Sequence, residues 1–85
     1  MTINLLYFAW VREKIGKSAE TVELPVSVAT IGDLVAWLVA RGPEYAAAFA
    51  KPGVVRAAID RNHVKTTASI AGAREIAFFP PVTGG

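Results

Sequence analysis

Between Thr30 and Gly42 the chain carries Ile31, Leu34, Val35, Leu38 and Val39, aliphatic residues at the i, i+3, i+4, i+7, i+8 spacing of one helical stripe. Thr30 offers a hydroxyl to an orphan N–H at the start, and Asp33 puts an acid in the first turn. Arg41-Gly42 is the predicted stop, with Gly42 as a C-cap. Trp37 falls at the margin of the stripe and is expected to pack partly buried. A stripe of this kind must be covered, and the rest of the chain offers mainly short alternating segments. The prediction is one main helix laid on a sheet, an α+β arrangement of two layers.

The alternation starts at once. Ile3, Leu5, Tyr7 and Ala9 alternate with Asn4, Leu6, Phe8 and Trp10, which predicts a first strand whose core face includes Tyr7. Arg12 to Lys17 reads as a turn in which Gly16 takes positive φ, and Thr21 to Leu24 as the returning strand of a hairpin closed by Pro25. Pro43 to Ala50 predicts a short second helix, with Pro43 at its first position and Tyr45 and Phe49 at i, i+4. Val55, Ala57 and Ile59 predict a third strand, and Asp60 to His63 a tight turn into a short strand at Val64. Lys65 to Ala73 reads as loop, and Ile76 to Phe79 as the last strand, with Phe78 inward. A helix crossing between strands of one sheet favours parallel pairing of some of them, so the sheet should be mixed.

Composition removes several classes of function. With 85 residues, of which 53% are hydrophobic and 19% charged, the chain has room for one small core. It has no cysteine, so thiolate metal sites, disulfides and a cysteine nucleophile are excluded. The net charge of +2 comes from scattered Lys and Arg, without the basic stripe that nucleic acid requires. The uncharged apolar runs Leu5 to Val11 and Leu34 to Ala40 are far short of the roughly 20 residues that span a bilayer. No export signal precedes the first apolar run, so a cytoplasmic protein is expected. No phosphate-binding loop occurs, His63 is the single histidine with no evident carboxylate partner, and the acidic residues are spread singly. No metal site and no self-contained active site can be assembled from these residues.

What remains is the tail. Pro80-Pro81 ends the last strand, because proline has no N–H to give a ladder, and residues 80–85 then form an arm beyond a domain of residues 1–79. At about 3.3 Å per residue, Pro80, Pro81, Val82, Thr83, Gly84 and Gly85 reach roughly 20 Å. Gly84 and Gly85 carry no side chains, so backbone can enter a narrow channel and the Gly85 carboxylate is open to attack. A diglycine alone is a weak signal, since chain ends commonly fray.

The longer pattern is specific. Ala-Phe-Phe-Pro-Pro-Val-Thr-Gly-Gly at 77–85, Leu-Tyr-Phe-Ala-Trp-Val-Arg-Glu at 6–13 and Ala-Ala-Ile-Asp-Arg-Asn-His-Val at 57–64 resemble the ubiquitin-like MoaD/ThiS sulfur carriers. Within that family they are most similar to the MoaD branch, the small subunits of molybdopterin synthases. The resemblance implies a β-grasp fold, with a mixed sheet packed on one main helix plus a short second helix. It implies that a ubiquitin-activating-like enzyme adenylates Gly85, that a sulfur donor then replaces AMP to leave a thiocarboxylate, and that no cofactor is held permanently.

The same resemblance implies a large synthase subunit, in a heterotetramer, whose pocket receives the arm. There sulfur passes to cyclic pyranopterin monophosphate, so the chain alone is not catalytic. Phe8 and Phe79, on the faces opposite Tyr7 and Phe78, and His63 near them are the candidate partner contacts. Three places depart from the family pattern. Asp60 stands where Asn is usual, Gly72-Ala-Arg-Glu75 replaces an acidic turn, and His63 replaces an aliphatic residue. Alternatives are a carrier for thiazole or cysteine synthesis, a ubiquitin-like protein modifier, or a structural domain with an inert tail.

Overall fold

The computed structural model describes residues 1–51 and 53–81. In chain order the elements are β1 (Thr2–Tyr7), α1 (Ala9–Ile15), β2 (Ala19–Glu23), α2 (Ile31–Val39), α3 (Pro43–Ala48), β3 (Arg56–Ile59), β4 (Asn62–Val64) and β5 (Glu75–Phe79). The strands form one mixed sheet in the order β2-β1-β5-β3-β4. β1 and β5 run parallel at its centre, in register from Asn4↔Glu75 to Tyr7↔Phe78, and the other neighbours are antiparallel. This is the expected α+β grasp: Ile3, Leu5, Tyr7, Val22, Ile76 and Phe78 meet Ile31, Leu34 and Leu38 of α2 in a single buried cluster.

The first strand is shorter than its alternation predicts. It ends at Tyr7, and Ala9 to Ile15 form a helix where a strand end and a turn are expected. Ala9 turns the corner with φ 52°, the Phe8 carbonyl accepts the N–H groups of Val11 and Arg12, and Val11 and Ile15 are buried one turn apart. Gly16 does take positive φ (88°), as the cap of this helix, with its N–H on the Arg12 carbonyl. β1 and β2 are therefore antiparallel neighbours joined by a helix.

At α2 the predicted start is found. The Thr30 hydroxyl accepts the Asp33 N–H at 3.1 Å, and Asp33 returns the favour to the N–H groups of Thr30 and Ala29 at 3.2 and 3.1 Å. The predicted stop is not. Ala40 caps α2 in right-handed geometry, and Gly42, in extended backbone (φ 173°), precedes Pro43 at the start of α3. α3 ends at Ala48, two residues before the predicted Ala50. The loop after β4 lies along the start of α2, where Ile31 and Gly32 give their N–H groups to the carbonyls of Ala68 and Thr66.

In β3 both Ala57 and Ala58 are buried, so the predicted simple alternation fails. The strand lies inside the sheet, and Ala58 sits in register between Ala77 and His63, flanked on both sides by neighbouring strands. Asp60 and Arg61, both at positive φ (45° and 73°), make the two-residue turn into β4 without a glycine. The Asp60 carboxylate accepts the N–H groups of Arg74 and Glu75 at 3.2 and 3.0 Å, which pins the turn to the start of β5.

Candidate functional site: the root of the arm and the open sheet face

β5 is the strand from which the tail departs, and it occupies the middle of the sheet with β1 on one side and β3 on the other. Its inward residue Phe78 is fully buried, stacked on Tyr7 (centroids 6.3 Å apart, 15° between planes) and met edge-on by Phe49 at 5.1 Å. The root of the tail is thus fixed by aromatic packing on the helix side. Its outward residue Phe79 is half-buried and lies 5.0 Å from the His63 ring, tilted by 45°. Phe8 continues the ladder by one rung, its N–H donating to the Phe78 carbonyl at 3.1 Å, and its side chain is 48% exposed.

The sequence candidates Phe8, His63 and Phe79 therefore all belong to the face away from the helices. His63 lies within β4 and not in the turn, opposite Ala58. Leu6, Ala77 and Ala58 lie in successive register across the same face. The loop at 65–73 packs at the start of α2, on the other side of the sheet, and does not cover this surface. Pro80 and Pro81 follow Phe79 outside the ladder and are half-buried. Val82, Thr83, Gly84 and Gly85, the rest of the predicted arm, lie outside the described residues.

One polar constellation escapes the sequence reading. Glu20 of β2 points to the helix side with only 11% of its side chain exposed, and accepts the hydroxyls of Tyr7 and Tyr45 at 2.7 and 2.6 Å. Its other oxygen meets the Arg41 guanidinium at 3.1 Å and the Lys17 ammonium at 3.5 Å. Arg41 also lies over the rings of Trp37 and Tyr45, at 5.0 and 5.2 Å. Burial opposes the charge on Glu20, yet the hydrogen bonds from Tyr45, Tyr7 and Arg41 together outweigh it and hold the carboxyl below its ordinary range. Burial, then the bond to Glu20, pushes the Tyr7 hydroxyl far above its ordinary range, and Tyr45 rises for the same reasons. The available signal was that Glu20 shares a strand face with Val22, inward. The cluster is a structural clamp, since the carboxylate is fully engaged and points away from the open face.

Among the described residues no group of His, Asp and Glu is placed to hold a metal ion, and no helix is long and apolar enough to cross a membrane.

Comparison with known proteins agrees with this geometry. The chain is 37% identical over 83 residues to the molybdopterin synthase sulfur carrier subunit of Haemophilus influenzae, covering 98% of this chain and 99% of that one. It is 35% identical, with the same coverage, to the protein of that name from Escherichia coli. Among solved structures, SAMP1 of Haloferax volcanii superposes with a TM-score of 0.77 over the full length of both chains at 23% identity. A putative molybdopterin converting factor subunit 1 of Pyrococcus furiosus gives a TM-score of 0.73 at 22% identity, covering 96% of this chain and 99% of that one. At such identities the structures speak for the fold alone. The ThiS family model matches residues 5–85, the whole of the sheet apart from its first few residues together with the diglycine, and the chain belongs to the ThiS family.

Proposed function

We propose that this chain is the sulfur-carrying small subunit of a molybdopterin synthase, working in the cytoplasm. The observation that carries the reading is the placement of the arm root. The central strand, locked by Phe78 on one side and bearing Phe79 on the other, runs straight into Pro80-Pro81 beside an uncovered apolar sheet face. Full-length similarity to two sulfur carrier subunits supports it.

In this reading an activating enzyme binds the chain and ATP. A Gly85 carboxylate oxygen attacks the α-phosphorus, pyrophosphate leaves, and the acyl carbon becomes a good electrophile. Sulfide-level sulfur from a donor adds to that carbon and AMP leaves, so one oxygen is exchanged for sulfur. The large synthase subunit then receives the arm, the thiocarboxylate sulfur replaces an oxygen substituent on a carbon of cyclic pyranopterin monophosphate, and water cleaves the acyl–sulfur bond to return Gly85 as a carboxylate. A dithiolene needs two sulfurs, so two charged carriers serve each product, which suits a heterotetramer of two large and two small subunits. The chain's own part is to hold the arm root rigid and to present a carbonyl flanked by bare backbone.

The test is intact mass. Incubation with the activating enzyme, ATP and a sulfur donor should raise the mass by one sulfur-for-oxygen exchange, mapped to Gly85. Deleting Gly85, or adding one residue after it, displaces the reactive carbon by about 3.3 Å and should abolish sulfur transfer with the fold intact. An unchanged mass, with an enzyme shown to be active on another carrier, removes the chain from the sulfur carriers. Isopeptide conjugates to lysines in its place would make it a protein modifier.

A further inference from the structure

The open face is not uniform, and its far edge carries a cleft of about 420 Å³ lined by Arg56, Ala57, His63, Val64, Lys65 and Phe79. Register explains how these residues meet. Arg56 is opposite Phe79 of β5, and Ala57 is opposite Val64, which brings Arg56 of β3 and Lys65 just past β4 side by side on the face that bears Phe79.

Lys65, one residue past β4, takes the place that would face Arg56, and like charges brought so close are mildly destabilising unless an opposite charge joins them. The ion pairs among the described residues all involve Glu20 or Glu23, on β2 at the opposite edge of the sheet. Asp60, the acid nearest in sequence to β4, is committed to the backbone of Arg74 and Glu75. The cleft thus joins an exposed cationic pair to an aromatic wall made by Phe79 and His63, one residue from the start of the arm.

We propose that this cleft docks an acidic segment of the large synthase subunit, with one or more carboxylates on Arg56 and Lys65 and a neighbouring apolar side chain against Phe79 and His63. The proposal rests on the small-subunit reading and adds to it the chemistry of the partner. Opposite charge speeds and orients encounter, and the contact beside Phe79 sets the register in which the arm enters its pocket. An arm tethered at Phe79 is aimed by whatever fixes Phe79, so a charged contact one strand away orients the arm.

The experiment measures binding of the purified large subunit by calorimetry for the intact chain and for Arg56→Glu, Lys65→Glu and both together, with adenylation by the activating enzyme followed in parallel. Each reversal should weaken binding about tenfold and the double variant by more, with adenylation unchanged. Raising sodium chloride from about 0.05 M to about 0.5 M should weaken the wild-type complex and leave the double variant less affected. Arg56→Gln and Lys65→Gln, which remove the charge and keep a polar end, should fall between, with unchanged melting temperature. Unchanged affinity in the reversals, while Phe79→Glu still weakens the complex, overturns the acidic contact and leaves the small-subunit reading standing. Lost adenylation with intact binding gives the cleft to a nucleotide phosphate or the activating enzyme and likewise overturns it. A chain that binds no large subunit in any form defeats the underlying reading.

Discussion

The two faces of β5 are built from alternate residues of one strand and behave as different materials. Inward, Ile76 and Phe78 are fully buried with Leu5 and Tyr7 under α2 and the aromatic edge of Phe49. Outward, Ala77 and Phe79 are only half-buried, the register neighbours Ala58 and Leu6 are nonpolar, and among the described residues no helix lies over them. The inner face is a closed core whose value is stability. The outer face is a shallow floor of methyl groups rimmed by Leu6, Phe79 and Phe8, a surface that is incomplete in this chain by itself. A one-residue slip of β5 would exchange the two sets, so the parallel register with β1 also fixes which aromatic is offered to a partner.

The contrast can be attacked first at its strongest point. Phe78→Ala should cost about 3–5 kcal/mol of stability, measured by urea unfolding, because it empties a site packed by Tyr7 and Phe49. A loss near that of an exposed position would show that the inner face is not the core. Phe79→Glu should change stability by no more than about 1 kcal/mol and weaken large-subunit binding by about a hundredfold. Phe8→Glu should act in the same direction and less, since Phe8 stands at the rim. If either variant unfolds, the division between the faces breaks.

The Glu20 clamp sharpens the inner side through pH. The folded-state pKa of Glu20 lies below the ordinary carboxylate range, so its stabilisation is present above that range and is lost as the pH falls through the lowered value. Tyr7 and Tyr45 are raised, so the unfolded chain ionises first and stability should fall again above about pH 10. Melting temperatures across pH should show a plateau between these limbs, and Glu20→Gln should flatten the acid one. Asp33 also adds to the acid limb, its carboxyl held low mainly by the Ala29 N–H. The smallest effect expected is at the helix start, where Thr30→Ala removes a cap and should cost about 1 kcal/mol in thermal unfolding.

What the sequence made legible was whatever repeats with a period or ends on a special residue. The stripe from Ile31 to Val39, the Thr30 and Asp33 box and the inward Tyr7 and Phe78 were all readable because each is local. α1 was not, since a seven-residue helix with two buried positions has too few turns to show a period against the apolar run that precedes it. Gly42 misled because the residue type suits a C-cap, while here Pro43 claims it for the next helix. On the functional side the outward aromatics followed from strand alternation. The Glu20 clamp and the Arg56–Lys65 pair did not, because each joins residues from different elements whose neighbourhood exists only after the sheet has formed.

The pairing of the first strand with the last has a consequence during synthesis. β1 leaves the ribosome well before its central neighbour β5, so the sheet has no middle until β5 has been made. A chain broken off before Glu75 lacks the strand whose Phe78 Tyr7 and Phe49 pack against, and it should meet proteases unfolded. The act of closing the core thereby inspects the strand that leads to Gly85 in the sequence, before any partner meets the chain.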